Sequence, residues 1–114
     1  MPNPISVHYG KGDTGPDFVI EVSNADGGAK NISGAINPTF YVYDLTNRAM
    51  LVDASSAGVT IVGTNQLKRV LQTTDTNAEI GNAMAWFTYS LAGKIESTKA
   101  VGFLVSERWK RLMT

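Results

Sequence analysis

Cysteine is absent from the 114 residues of this chain. Its absence excludes disulfides, thiol nucleophiles and the common structural zinc sites, so packing and hydrogen bonds must hold the fold. Histidine occurs once, at His8, which rules out chemistry built on paired imidazoles. An excess of one charge is also lacking, because ten basic and ten acidic residues cancel. Nucleic-acid binding leans on neutralised phosphates, and no field of one sign is available here to supply that. No uninterrupted apolar run approaches the ~20 residues that span a bilayer. The opening Met1-Pro2-Asn3-Pro4 has neither the basic nor the apolar region of a secretory signal. These absences lead us to expect synthesis in a cytoplasm, no membrane or nucleic-acid partner, and no modification of the Asn31-Ile32-Ser33 acceptor.

The composition that remains is that of a globular protein. Hydrophobic residues make up 43% and charged residues 18%, too apolar a mixture to stay disordered. The length fits one core, so residues 1–114 are read as a single domain with a short N-terminal arm and a basic C-terminal tail. Period-two alternation recurs along the chain, the mark of strands with one buried face. It runs from Ile5 to Tyr9, Phe18 to Val22, Thr39 to Tyr43, Met50 to Val52, Val59 to Val62, Leu67 to Leu71, Met84 to Leu91 and Lys99 to Glu107. Turn residues separate these runs, notably Gly10 to Gly15, Asn24 to Gly28, Asp53 to Gly58 and Gly63 to Gln66. Ile32, Ala35 and Ile36 are expected to lead back to the core, and Pro38 to limit pairing where the third strand begins. About eight short strands with frequent reversals, and no long helical pattern, predict an all-β, immunoglobulin-like antiparallel β-sandwich. A small closed barrel is the alternative.

Few residues are left over for chemistry. His8 falls on the polar side of the first strand. Asp13 and Asp17 flank a glycine-rich turn, but they lack the run of oxygen ligands of a helix-loop-helix calcium site. Asp13 is instead expected to hydrogen-bond the turn backbone. Asp75 and Glu79 lie close in sequence on what reads as a polar surface turn, with no pocket to raise a carboxyl pKa for glycoside hydrolysis. Gly10-Lys11-Gly12 lacks the ending of a phosphate loop. We therefore expect no catalytic, cofactor-binding or metal-binding residues. Tyr41, Tyr43, Trp86 and Tyr89 read as core aromatics, with sugar stacking as the competing role. At the C-terminus, Arg108, Trp109, Arg111 and Leu112 read either as a solvated end or as a docking tail. In the second reading Trp109 and Leu112 anchor and the arginines form charge-assisted bonds.

Three short motifs carry a resemblance. Gly12-Asp13-Thr14, Asn31-Ile32-Ser33-Gly34-Ala35, and Thr74-Asp75-Thr76 followed by Ile80-Gly81 and the strand to Tyr89 occur in this order. Together they are similar to the N-terminal domain family of bacteriophage baseplate upper proteins. The resemblance spans most of the chain. Asn31 and Ser33 depart from the family's acidic and threonine positions, and Asn82 with Met84 to Phe87 departs from its Gly-Tyr segment. The resemblance implies a non-catalytic virion protein of the tail, baseplate or fibre, held in a symmetric multimeric assembly with other virion proteins or copies of itself. A capsid decoration or head-fibre protein is the alternative, and a carbohydrate-binding module for the host surface is the alternative of another class. Candidate interface residues are Asp13, Thr14, Asp17, Arg108, Trp109, Arg111 and Leu112, with the Asp53 to Gly58 loop beside them.

Overall fold

The computed structural model describes residues 6–24 and 26–106. Nine strands form among the described residues: β1 Ser6–Gly10, β2 Phe18–Glu21, β3 Ile36–Asp44, β4 Ala49–Ser55, β5 Val59–Val62, β6 Gln66–Arg69, β7 Ala83–Leu91, β8 Lys94–Ser97 and β9 Val101–Ser106. One 3-10 turn, Thr73–Asp75, is inserted before β7. The strands make a β-sandwich of two sheets. The larger has the order β1-β9-β7-β3-β4, with β8 also on β7, and the smaller has the order β2-β6-β5.

Alternation explains which side chains meet between the sheets. Phe18 and Ile20 from β2, Phe40 and Val42 from β3, Phe87 from β7 and Phe103 from β9 are all buried. Phe18, Phe40, Phe87 and Phe103 are the four phenylalanines of the chain. Phe18 of the smaller sheet lies 5.5 to 5.8 Å from the rings of Phe40, Phe87 and Phe103 of the larger one, and Phe40 lies 5.3 Å from Phe87 and 6.3 Å from Phe103. Tilted and edge-on aromatic pairs at this spacing add to the area they bury.

The pairing differs from an all-antiparallel expectation in one place. β1 runs parallel to β9, with Val7 beside Phe103 and Tyr9 beside Val105. A parallel neighbour needs a long connection, and here the connection is the whole domain, because first and last strands meet. Tyr9 is 1% exposed and packs on Phe103 at 5.4 Å. Its hydroxyl has no hydrogen-bond partner among the described residues. Burial, and then the charges of Asp17 and Asp75, raise the phenol pKa well above its ordinary value. An unpartnered buried hydroxyl carries a desolvation cost, so Tyr9→Phe should be neutral or stabilise the fold by about 1 kcal/mol. Urea denaturation measures this, and a loss above that size would mean the hydroxyl is bonded.

β8 has no counterpart among the predicted strands, because Gly93 reads in the sequence as the end of β7. In the structure Leu91 pairs with Lys94, and the two residues between them, Ala92 and Gly93, both have positive φ, 52° and 81°. Positive φ at both central positions is the hairpin turn that suits strand twist, normally signalled by Asn-Gly or Asp-Gly. Alanine at that position hides the signal and strains the backbone by roughly 1 kcal/mol. Ala92→Gly or Ala92→Asn should therefore raise the denaturation midpoint by up to about 1 kcal/mol of stability, readable by thermal melting. A lower midpoint would show that the turn is not strained.

The start of β3 departs as well. Asn37 has φ 55° and the register shifts between Ile36 and Thr39. This bulge surrounds Pro38, which has no N–H to donate. Past the bulge Ile36 turns outward and is 61% exposed, rather than joining Ile32 and Ala35 in the core. At the other end of β3, Asp44 accepts from the Thr46 amide at 2.9 Å and the Asn47 side chain at 2.8 Å. The bond from the Asn47 side chain is the main cause holding the Asp44 carboxyl below its usual range.

Candidate interaction face

The register of the larger sheet lines up four rows on its outer side. Ile36, Ser90 and Ile95 form the first, and Thr39, Thr88 and Ser97 the second. Tyr41 and Trp86 form the third, and Met50, Tyr43, Met84 and Gly102 the fourth. The alternate positions of the same strands, Phe40, Val42, Ala85, Phe87 and Tyr89, are buried between the sheets. A period of two thus assigns each residue of β3 and β7 to one face or the other.

None of the residues in these four rows is Asp, Glu, Lys, Arg or His. Ile95 is 80% exposed, and with Ile36 it gives the face an apolar corner. The outer side of the smaller sheet is the opposite case. There Val19, Lys68 and Thr60 form one row, and Glu21, Gln66 and Val62 the next. Lys68 meets Asp17 at 3.8 Å, and Gln66 donates to Glu21 at 3.1 Å. The charges of the larger sheet's outer side lie on its flanking strands, with Asp53 exposed in the β4 bulge opposite Tyr41, so the uncharged rows are centred on β3, β7 and β8.

Tyr41 and Trp86 are half-buried at the centre of the uncharged rows. Their rings stack with centroids 5.5 Å apart and planes within 6°. They face outward, contrary to a core role, whereas Tyr89 faces inward at 2% exposure. Its hydroxyl donates to Glu96 at 2.9 Å. Burial first, and then that bond and the Glu96 charge, push the Tyr89 phenol up to about 12. Glu96 is held below its usual range chiefly by its bond from Lys30, which ties the connection between β2 and β3 to β8.

The loop predicted as an interface lies elsewhere. Asp13 caps its own turn, its carboxylate accepting the Gly10 amide at 2.8 Å, as expected. Its carbonyl accepts the hydroxyl of fully buried Thr76 at 2.6 Å, and the Gly12 amide donates to the Thr76 carbonyl at 2.7 Å. Thr14 and Asp17 are exposed on the same loop, and Asp17 faces Lys68. Arg108, Trp109, Arg111 and Leu112 lie outside the described residues.

The Asp53 to Gly58 segment is less of a loop than its composition implies, since β4 continues to Ser55. It is anchored by a residue that was not singled out from sequence. Arg69, at the end of β6, is 2% exposed and donates to the Ser55 hydroxyl at 2.7 Å and to the Ala57 carbonyl. The same guanidinium forms two parallel bonds to Asp75, Nε to Oδ2 at 3.0 Å and Nη2 to Oδ1 at 2.9 Å. Asp75 is therefore buried in an ion pair rather than placed on a polar surface turn with Glu79. Its carboxylate also accepts the Gln72 amide at 2.9 Å. A signal for Arg69 was present: it shares the inward phase of Leu67.

His8 lies half-buried on the outer side of β1, with Nε2 2.7 Å from the Ser106 hydroxyl of β9. This contact joins neighbouring strands of the parallel pair. Nucleophilic catalysis would need, besides such a contact, donors aimed at a developing oxyanion. Among the described residues, no three His, Asp or Glu side chains gather as a metal site.

Compared with known proteins, the chain matches no family model and no curated protein in sequence.

Proposed function

We propose that this β-sandwich is an immunoglobulin-like, non-catalytic attachment module of a bacteriophage virion, in the tail, baseplate or fibre. The observation that carries the attachment role is the set of uncharged rows on the outer side of the larger sheet, with Tyr41 stacked on Trp86 at their centre and Ile36 and Ile95 exposed at one corner. Exposed apolar side chains beside half-buried aromatics mark a surface suited to contact with a partner. The virion setting rests on the three ordered motifs of the sequence. In a symmetric particle many weak contacts of this kind add up to firm attachment. Capsid decoration uses the same face and differs in copy number.

Carbohydrate recognition is less well supported by the same residues. A sugar ring stacks on an open aromatic face, and Tyr41 and Trp86 each use one face on the other.

Quantitative mass spectrometry of purified particles from the phage encoding this chain tests the proposal. Up to some tens of copies per particle support a tail or baseplate position, and hundreds support decoration of the shell. Absence from particles would overturn the virion reading.

A further inference from the structure

We infer that a hollow on the outer side of the β1–β9 pair receives the indole of Trp109, carried there by the same molecule's C-terminal segment, residues 107–114. The inference does not depend on the attachment role, because the hollow lies on β1 and β9 and not on the rows of β3, β7 and β8.

Register makes the hollow. His8 stands beside Leu104 in the parallel pair. On the other edge of β9, Ile80 and Val105 exchange both backbone bonds, at 2.8 and 3.0 Å. Antiparallel pairing about that bridge sets Gly81 beside Leu104 and Glu79 beside Ser106. Ile80 and Val105 are buried, so a period of two turns these neighbours outward. Leu104 is thus a floor with His8 on one flank and a residue without a side chain on the other. A methyl group at Gly81 would meet no atom of the described residues within 4 Å. The space left is an open, mainly apolar hollow of about 310 Å³, with Ser106 and Glu79 on its rim.

Continuity, apolar chemistry and charge select the occupant. Ser106 is the last described residue of β9 and itself lines the hollow. Trp109 comes three residues later, so the chain ties it to within about 11 Å of Ser106. A tether this short gives the segment an effective concentration of about millimolar or more, ahead of a free competitor. An indole left in water forgoes the burial that Leu104 and Ile80 offer. Arg108, Lys110 and Arg111 surround Trp109, and the rim presents the Glu79 carboxylate to them for a charge-assisted bond. Seated there, the segment covers the contact between His8 and Ser106 and fastens the parallel pair of β1 and β9.

Fluorescence of the full chain tests the inference. Trp86 and Trp109 are the two tryptophans, so Trp86→Phe leaves Trp109 as the sole reporter. The expected result is blue-shifted emission, with acrylamide quenching several-fold weaker than for the same protein in urea. Gly81→Leu places its side chain in open space, on a backbone outside the left-handed region. By filling the hollow it should return both readings to those of an exposed indole. Circular dichroism confirms that each variant folds. Leu104→Ala, which removes the floor, replaces Gly81→Leu if the latter does not fold, and the difference between the wild-type and Trp109→Phe spectra replaces Trp86→Phe. Water-exposed emission from Trp109 in the folded protein would overturn the inference, as would protection that Gly81→Leu leaves unchanged. Protection lost on hundredfold dilution would overturn docking within one molecule and assign the hollow to the same segment of a second copy.

Discussion

Replacing Arg69 with alanine is expected to cost about 3–5 kcal/mol of folding stability, a large share of the roughly 5–15 kcal/mol that holds a domain of ordinary size. The reason is the company the guanidinium leaves behind. Asp75, paired through both oxygens and 2% exposed at its side chain, would keep a carboxylate in the interior with only the Gln72 amide to satisfy it. Ser55 and the Ala57 carbonyl would lose their donor too, freeing the segment that joins β4 to β5. Asp75→Ala should cost a similar amount, because it strands the cation instead. The double variant Arg69→Met with Asp75→Leu should cost clearly less than the sum of the single changes, since removing both charges removes the desolvation term. Guanidinium denaturation of the four proteins checks this. Single variants within about 1 kcal/mol of wild type would show that the pair is solvated.

Phe40→Ala should be comparably severe, at about 3–5 kcal/mol. Phe40 is fully buried and touches Phe18, Phe87 and Phe103, at 5.5, 5.3 and 6.3 Å. Its removal leaves a cavity where the two sheets meet. Backbone pairing on both edges of β3, to β4 and to β7, leaves that cavity little freedom to collapse. At roughly 4 °C or more per kcal/mol, the melting midpoint should fall by at least about 12 °C. The Arg69 guanidinium carbon also lies 4.9 Å above the Phe40 ring. Phe40 and Arg69 should therefore couple, with a double-mutant cycle giving about 0.5–2 kcal/mol of interaction. A coupling indistinguishable from zero would mean that the contact between cation and ring contributes nothing, whatever the single changes cost.

Much of the architecture was legible in the sequence because a strand's period is two and its faces differ. Phe18 with Ile20, Phe87 with Tyr89, and Phe103 with Val105 are in phase in the sequence and face inward together in the structure. The alternation also separated Met84, Trp86, Thr88 and Ser90 onto the other side of β7. Sequence did not reveal that these side chains line up with those of β3 and β8 in uncharged rows. That property belongs to four strands at once, and it appears only when the register sets Ser90 beside Ile36 and Ile95. β8 stayed hidden because Ala92 holds a backbone conformation that alanine seldom signals. Asp75 read as surface because its neighbours are polar, and the partner that buries it lies at the end of a different element.

The chain's own composition and spacing determined that this is an all-β domain without cysteine chemistry, with turns where glycine, asparagine and aspartate cluster, and with phenylalanines as its core. Those are local matters of propensity and period. Tertiary structure alone decided that the first and last described strands lie parallel, that a buried Arg69–Asp75 pair fastens the Asp53 to Gly58 segment, and that side chains of β3, β7 and β8 meet in uncharged rows. Each of these depends on which strand pairs with which and in what register, and pairing between distant segments is set by the packing of the whole chain.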